Sequence, residues 1–247
     1  MIKEEKYFSP ALNRGMVYDI YIPDNIVPKK ERPWVLLLHG LGRNSKSLTT
    51  HPVARGIIEQ QKYAIVFPNA ENGWYIDSAV KSGSNYLSLI NDVYNEVTKK
   101  YGLSTKPERT AITGWSMGGY GCTRCAERWN ERFSVVAPII GVLDYPVSKY
   151  EGKSDLKLPF DIIGRDESKW VELNPVTHAE RLRGKKVFII TGDTAYDLLM
   201  NKTFCAKLDE LGIAYMFTTV PGNHSLETVV TCLPGVFGFI ENSILLW

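Results

Sequence analysis

Short apolar or β-branched runs alternate with longer amphipathic stretches along most of this chain. That pattern restricts the fold more than any other feature, because parallel strands need helical crossovers to bring the chain back to the same edge. After two expected antiparallel strands near Glu5–Phe8 and Met16–Ile22, the runs Trp34–Leu38, Ala64–Phe67, Thr110–Thr113, Ser134–Ile139, Val187–Thr191 and Tyr215–Val220 read as core strands of one mostly parallel sheet. Tyr86, Leu89, Ile90, Val93 and Val97 fall on one helical face and predict a helix that covers the sheet. A further helix is expected from near Leu198 and is closed by Gly212, since glycine tolerates the left-handed backbone of a helix end. Residues 141–185 carry Tyr145-Pro146, Leu158-Pro159 and Asn174-Pro175 without a clear strand, so they read as a short cap insertion within one α/β domain spanning 1–247.

Composition narrows the function classes. With 44% apolar and 23% charged residues, a chain of 247 residues can bury one sizeable core. Its 29 Lys and Arg against 27 Asp and Glu leave +2, too balanced for a nucleic-acid partner. The first ten residues lack the apolar stretch of a secretory signal, and no apolar run is long enough to span a membrane. Four cysteines without a paired zinc spacing fit a reducing compartment, so a soluble cytoplasmic protein with no membrane partner is expected. Cys122 and Cys125 share an expected helix and read as core, and the basic run from Arg181 to Lys186 reads as a solvated helix end. Oligomeric state leaves no trace in the sequence.

The chemistry is concentrated at Gly114-Trp115-Ser116-Met117-Gly118-Gly119, which follows the Thr110–Thr113 run and precedes a stretch able to form a helix. A serine on a sharp strand-to-helix turn, with glycine two residues to either side, has the pattern of a nucleophile elbow. The backbone N–H groups at the start of such a helix suit a developing oxyanion. A serine hydroxyl needs a base, and the base needs a carboxylate to orient it. Of four histidines, His39 and His224 follow core strands at their carboxyl ends, where the sites of such sheets gather. The chain order Ser, acid, His favours His224, with His39 as the alternative. After Val187–Thr191, the segment Gly192-Asp193-Thr194-Ala195-Tyr196-Asp197 offers two acids. Asp197 is preferred and Asp193 is the alternative; each also has a structural reading, Asp193 as a turn residue and Asp197 as a helix N-cap. Backbone N–H groups of Leu41 and Met117 are the expected oxyanion donors. Trp74, Tyr75, His39 and Trp170 are candidates to line a substrate pocket, although core packing suits the three aromatic residues too and His39 also reads as part of the turn that presents the Leu41 N–H.

In these motifs the chain resembles the esterase D group of α/β-hydrolases, which includes tributyrin, feruloyl and acetylxylan esterases, S-formylglutathione hydrolases and mycolyltransferases. The resemblance is carried by His39-Gly40-Leu41-Gly42, Gly73-Trp74-Tyr75, Gly114 to Tyr120, Asp197-Leu198-Leu199 and Gly222-Asn223-His224, and it covers Met16 to about Phe239. It implies an α/β-hydrolase fold and an acyl-enzyme route with neither metal nor organic cofactor. Four positions depart from the group's pattern. Trp115 replaces a small aliphatic residue, and Asp92 stands where a glutamate is usual. The group's acid position falls on Ala195, so a local insertion must shift the acid, and Leu226 occupies the neighbourhood of a tryptophan that often follows the histidine. The reading that results is a serine carboxylesterase acting on a small neutral acyl or aromatic-acyl ester, with an acyltransferase or thioester hydrolase as the alternative and a non-catalytic binding module behind both.

Overall fold

The computed structural model describes residues 1–24, 31–144 and 159–245. Eight strands form one sheet: β1 (Ile2–Ser9), β2 (Arg14–Tyr21), β3 (Trp34–Leu38), β4 (Ala64–Pro68), β5 (Thr110–Trp115), β6 (Val135–Ile139), β7 (Lys186–Gly192) and β8 (Tyr215–Val220), in the order β1-β2-β4-β3-β5-β6-β7-β8. β1 and β2 form a hairpin, β2 runs antiparallel to β4, and the other neighbours are parallel. All eight strands lie where the hydrophobic period predicts them. The sheet is the mostly parallel, helix-covered sheet of an α/β-hydrolase.

β3, β4 and β6 are apolar throughout because both sheet faces are covered, while β5 and β7 add the buried threonines Thr110, Thr113 and Thr191. Along β3, Trp34, Leu36 and Leu38 point into one core layer with Ile112 and Val136, while Val35 and Leu37 join Ala111 and Val135 in the other. Among the described residues the α-helices are α1 (Lys46–Thr49), α2 (Pro52–Ile58), α3 (Tyr86–Tyr101), α4 (Met117–Arg128), α5 (Phe160–Ile163), α6 (Glu167–Leu173), α7 (Leu198–Glu210) and α8 (Leu226–Ile244). α3, α4 and α7 bury Leu89, Ile90, Val93, Cys122, Cys125, Phe204 and Leu208 on the first face. α2 and α8 bury Ile58, Leu233, Val236 and Phe237 on the second. Asp92 on α3 accepts hydrogen bonds from the Ser9 hydroxyl (2.6 Å) and the Ala11 N–H (2.9 Å), which clamps the β1–β2 turn to the layer beneath it.

The described part of the expected insertion, 141–144 and 159–185, contains α5, α6 and a 3₁₀ stretch over Pro175–Leu182, with no strand. Tyr145, Pro146 and Leu158 lie outside the described residues. Tyr120 of α4 donates its hydroxyl to Leu173 O at 3.2 Å and so ties α6 to the central layer. In the basic run before β7, Arg181, Arg183 and Lys186 are exposed at the end of the 3₁₀ stretch as expected, and Lys185 alone departs from that reading. Lys185 is buried and donates to Asn130 O and Phe133 O, both at 2.6 Å, and burial pushes its ammonium down to about 8.

Close backbone approach dictates the glycines around β5. A Cβ on Gly118 would sit 2.1 Å from Leu38 O, and one on Gly114 would sit 2.3 Å from Gly118 O. Both obstacles are main-chain atoms that cannot step aside. Gly118→Ala should therefore lower stability by about 2 to 3 kcal/mol and the melting temperature by roughly 5 to 10 °C. Gly56→Ala is the control: it lies in α2 with open space around it. It should be neutral or stabilising by up to about 1 kcal/mol in the same thermal melts.

Candidate active site

Ser116 stands between β5 and α4 with φ 57° and ψ −118°, in the left-handed half of conformational space that side-chain-bearing residues rarely occupy. Its N–H donates to Ile139 O at 3.0 Å, and Tyr120 N–H returns to Ser116 O at 3.0 Å, so sheet and helix both hold the strained residue. The turn lifts Ser116 Oγ out of the sheet and into a cavity of about 690 Å³. Met117 opens α4, where N–H groups have no intrahelical acceptor. Leu41, directly after the β3 turn, lines the same cavity. Among the described residues, neither the Leu41 nor the Met117 N–H donates to another protein group.

The candidate base lies beyond the last strand of the sheet. The turn after β8 carries His224, whose Nε2 lies 2.8 Å from Ser116 Oγ and whose Nδ1 lies 2.6 Å from Asp197 Oδ1. Asp197 is fully buried, and although it sits at the N-cap position of α7, its side chain makes no cap bond. Its second oxygen accepts from Thr191 Oγ1 at 2.5 Å and Asn201 Nδ2 at 3.0 Å. Three donors thus satisfy a carboxylate that water cannot reach. Sequence reasoning missed Thr191 and Asn201. Their signals were a threonine ending a core strand and an asparagine one helical turn after the acid.

Asp193 does something else. It is exposed, its Oδ1 accepts the Gly222 N–H at 3.0 Å, and Thr194 N–H bonds Gly222 O at 3.1 Å. It fastens the turn that carries His224 and lies outside the Ser116–His224–Asp197 line. Ala195, the group's usual acid position, is buried in the turn between Gly192 and α7.

Of the other candidates, Trp74 lines the cavity and three do not. Tyr75 is buried, with its hydroxyl donating to His39 O at 3.0 Å. Trp170 is buried in α6, tilted against Phe160 at 5.1 Å, with its indole N–H donating to Gly164 O at 3.0 Å. His39 is buried as well; its Nε2 accepts the Ala70 N–H at 2.9 Å, which leaves Nδ1 protonated and donating to Gly40 O at 2.8 Å. Each of these three buried side chains answers its polar atoms with backbone groups. Trp115 reaches the cavity instead, by lying over Gly40, where a Cβ would meet its ring at 2.6 Å. His51 and His178 stand apart from the site, one accepting the Ala54 N–H at the start of α2 and the other 2.8 Å from Glu172 O. Among the described residues no cluster of His, Cys, Asp and Glu is arranged to hold a metal ion.

Burial pushes the His39 imidazole down to about 4, against the weaker opposite pull of the Gly40 carbonyl. The unfolded chain takes up this proton near the ordinary value of 6.5, which the folded chain does not. The stability contributed by neutral His39 is therefore complete above that value and is lost as pH falls toward the folded pKa. Replacing it by glutamine removes the titration while keeping a donor and an acceptor. Between about pH 7 and pH 4.5, urea unfolding should show the wild type losing about 2 to 3 kcal/mol more than His39→Gln.

Comparison with known proteins places this geometry in context. The structure matches the substrate-bound fluorophosphonate-binding serine hydrolase F, FphF, of Staphylococcus aureus with a TM-score of 0.84 at 23% identity, covering 97% of this chain and 98% of that one. An S-formylglutathione hydrolase from Agrobacterium tumefaciens matches with a TM-score of 0.84 at 16% identity, over 99% and 95% of the two chains. A ferulic acid esterase matches with a TM-score of 0.80 at 21% identity, covering 98% of each chain. At such identities the likeness shows the fold. An acetyl esterase of Caldicellulosiruptor saccharolyticus is 28% identical over 97 residues, 39% of this chain, and the match spans about a third (36%) of that protein's length. Residues 72–229, well over half of the chain and including Ser116, Asp197 and His224, match the prolyl oligopeptidase family, and the chain belongs to that family.

Proposed function

We propose that the protein is a serine carboxylesterase. The observation that carries this reading is the unbroken line from Ser116 Oγ to His224 Nε2 (2.8 Å) and from Nδ1 to buried Asp197 (2.6 Å), beside two backbone N–H groups. In this reading Ser116 attacks an ester carbonyl as His224 takes its proton, Leu41 and Met117 N–H steady the oxyanion, and the proton then goes to the departing alcohol. Water repeats the sequence on the acyl-enzyme and releases the acid. Asp197 holds the imidazole in the required tautomer and offsets its charge when it is protonated.

The shape of the site supports a small, neutral substrate. Arg43 is the cationic side chain of the described cavity lining, which otherwise holds the ionisable His224 and polar or apolar groups, with Trp74, Trp115, Ile140 and Val142 as its apolar wall. A second cavity of about 530 Å³ shares Leu41, Asn72 and Trp74 with the first and carries Glu71, Lys81 and Asp161 in its lining. The names of the structural neighbours, which include ferulic acid esterases and S-formylglutathione hydrolases, agree with an acyl ester or thioester as substrate.

Hydrolysis of 4-nitrophenyl acetate, butyrate and octanoate, a feruloyl ester, an S-acyl thioester and a proline-peptide amide tests the reading. Esters should be turned over fastest, and Ser116→Ala should reduce kcat by on the order of 10⁴-fold or more. Equal rates for wild type and Ser116→Ala would refute it, and a preference for the amide would make the protein a peptidase. In the same assay, Asp197→Asn should lower kcat by roughly 10³- to 10⁴-fold, since an amide oriented by Thr191 and Asn201 cannot serve the imidazolium. Asp193→Asn keeps an oxygen for the Gly222 N–H and should stay within about threefold of wild type.

A further inference from the structure

Tyr196, the residue before Asp197, takes up a place that acylation does not require. Its ring stacks on the His224 imidazole, with centroids 4.3 Å apart and planes 27° apart. Its hydroxyl lies 3.2 Å from Nε2, the same nitrogen that faces Ser116 Oγ at 2.8 Å. Tyr196 is partly buried and lines the larger cavity, so the hydroxyl faces the space that a substrate and its nucleophile must share. A stacked ring brings its hydroxyl to Nε2 from beside the imidazole plane, which leaves the in-plane lone pair to Ser116. Phenol can donate and accept a hydrogen bond at once, and two rotatable bonds make tyrosine a stiff carrier for it.

We propose that the Tyr196 hydroxyl positions the water that releases the acyl group; this rests on the esterase reading of Ser116 and His224. Once Ser116 Oγ carries the acyl group it has no proton to give, and Nε2 must take one from water instead. A water bonded to Nε2 stands within reach of a hydroxyl that is itself 3.2 Å from that nitrogen. The phenol donates to the water oxygen, one water hydrogen points to Nε2, and the remaining lone pair faces the acyl carbon. The new C–O bond forms as the water O–H bond breaks and its proton passes to Nε2. On collapse the bond from Ser116 Oγ to the acyl carbon breaks, and Nε2 returns the proton to Oγ. Tyr196 keeps its own proton throughout. His224 and Asp197 serve both halves of the reaction, whereas this hydroxyl serves the second.

Tyr196→Phe keeps the stacked ring and removes the oxygen. Stopped-flow hydrolysis of 4-nitrophenyl acetate by the full chain separates the acylation burst from steady-state deacylation. In the variant, the burst rate, kcat/KM and the rate of Ser116 labelling by a fluorophosphonate should stay within about twofold of wild type. The deacylation rate should fall on the order of fivefold, with kcat and KM falling together and acyl-enzyme accumulating in intact-protein mass spectra. Equal slowing of both steps would make Tyr196 merely a support for His224 and overturn the inference, and so would unaltered deacylation. If the wild type itself gave no burst and no turnover above Ser116→Ala, the esterase reading would fall and take this inference with it. A wild type that shows a burst, paired with a variant of unchanged deacylation, would sink the role of Tyr196 alone.

Discussion

Everything in the site depends on the left-handed backbone of Ser116. Three main-chain segments converge there: the end of β5, the first turn of α4 and the end of β3, so close that Gly118 leaves no room for a methyl group beside Leu38 O. A residue at φ 57° would relax if it were free to do so. It does not, because its N–H is fixed to β6 and its carbonyl to α4. The same constraint sends Oγ into the cavity and sets the Met117 N–H beside it. The glycine pattern of the motif is thus a packing requirement before it is a chemical one.

The parallel sheet then solves a problem of delivery. β5, β7 and β8 all end at the same edge, so the serine, the acid and the histidine, which are far apart in sequence, leave the sheet together. Two carboxylates on this framework show how environment decides the outcome. Asp197 is buried with His224, Thr191 and Asn201 as partners for its oxygens. Glu127 is also buried, but only one of its oxygens is paired, with Arg124 at 2.7 Å, while Oε1 has no partner. Its burial outweighs the arginine's pull and pushes its carboxyl up to about 8. Of the two, only the carboxylate beside the histidine has every oxygen answered.

Much of this was legible in the residues. Strands buried on both faces must be largely apolar, so β3 to β7 announce themselves, and α3 shows its buried face at Tyr86, Leu89, Ile90, Val93 and Val97. Ser116 was marked by the glycines its turn requires, and His224 by its place after the last strand. The aromatic candidates were less legible. Trp74 and Tyr75 are neighbours with nearly the same backbone, φ 53° and 55°, yet one faces the cavity and the other the core. Nothing in their types separates them, because either ring suits either place.

By itself the sequence determined the order and period of the strands, the elbow at Ser116 and the histidine that had to answer it. These follow from local rules: which residues can be buried, which can turn, and which can carry a proton. Only the tertiary structure decided between Asp193 and Asp197, turned His39, Tyr75 and Trp170 away from the cavity, and brought Tyr196 over the imidazole. Those outcomes depend on where a side chain points after two chain segments meet across the sheet. Only three residues lie between Asp193 and Asp197, yet one reaches a backbone N–H while the other reaches His224.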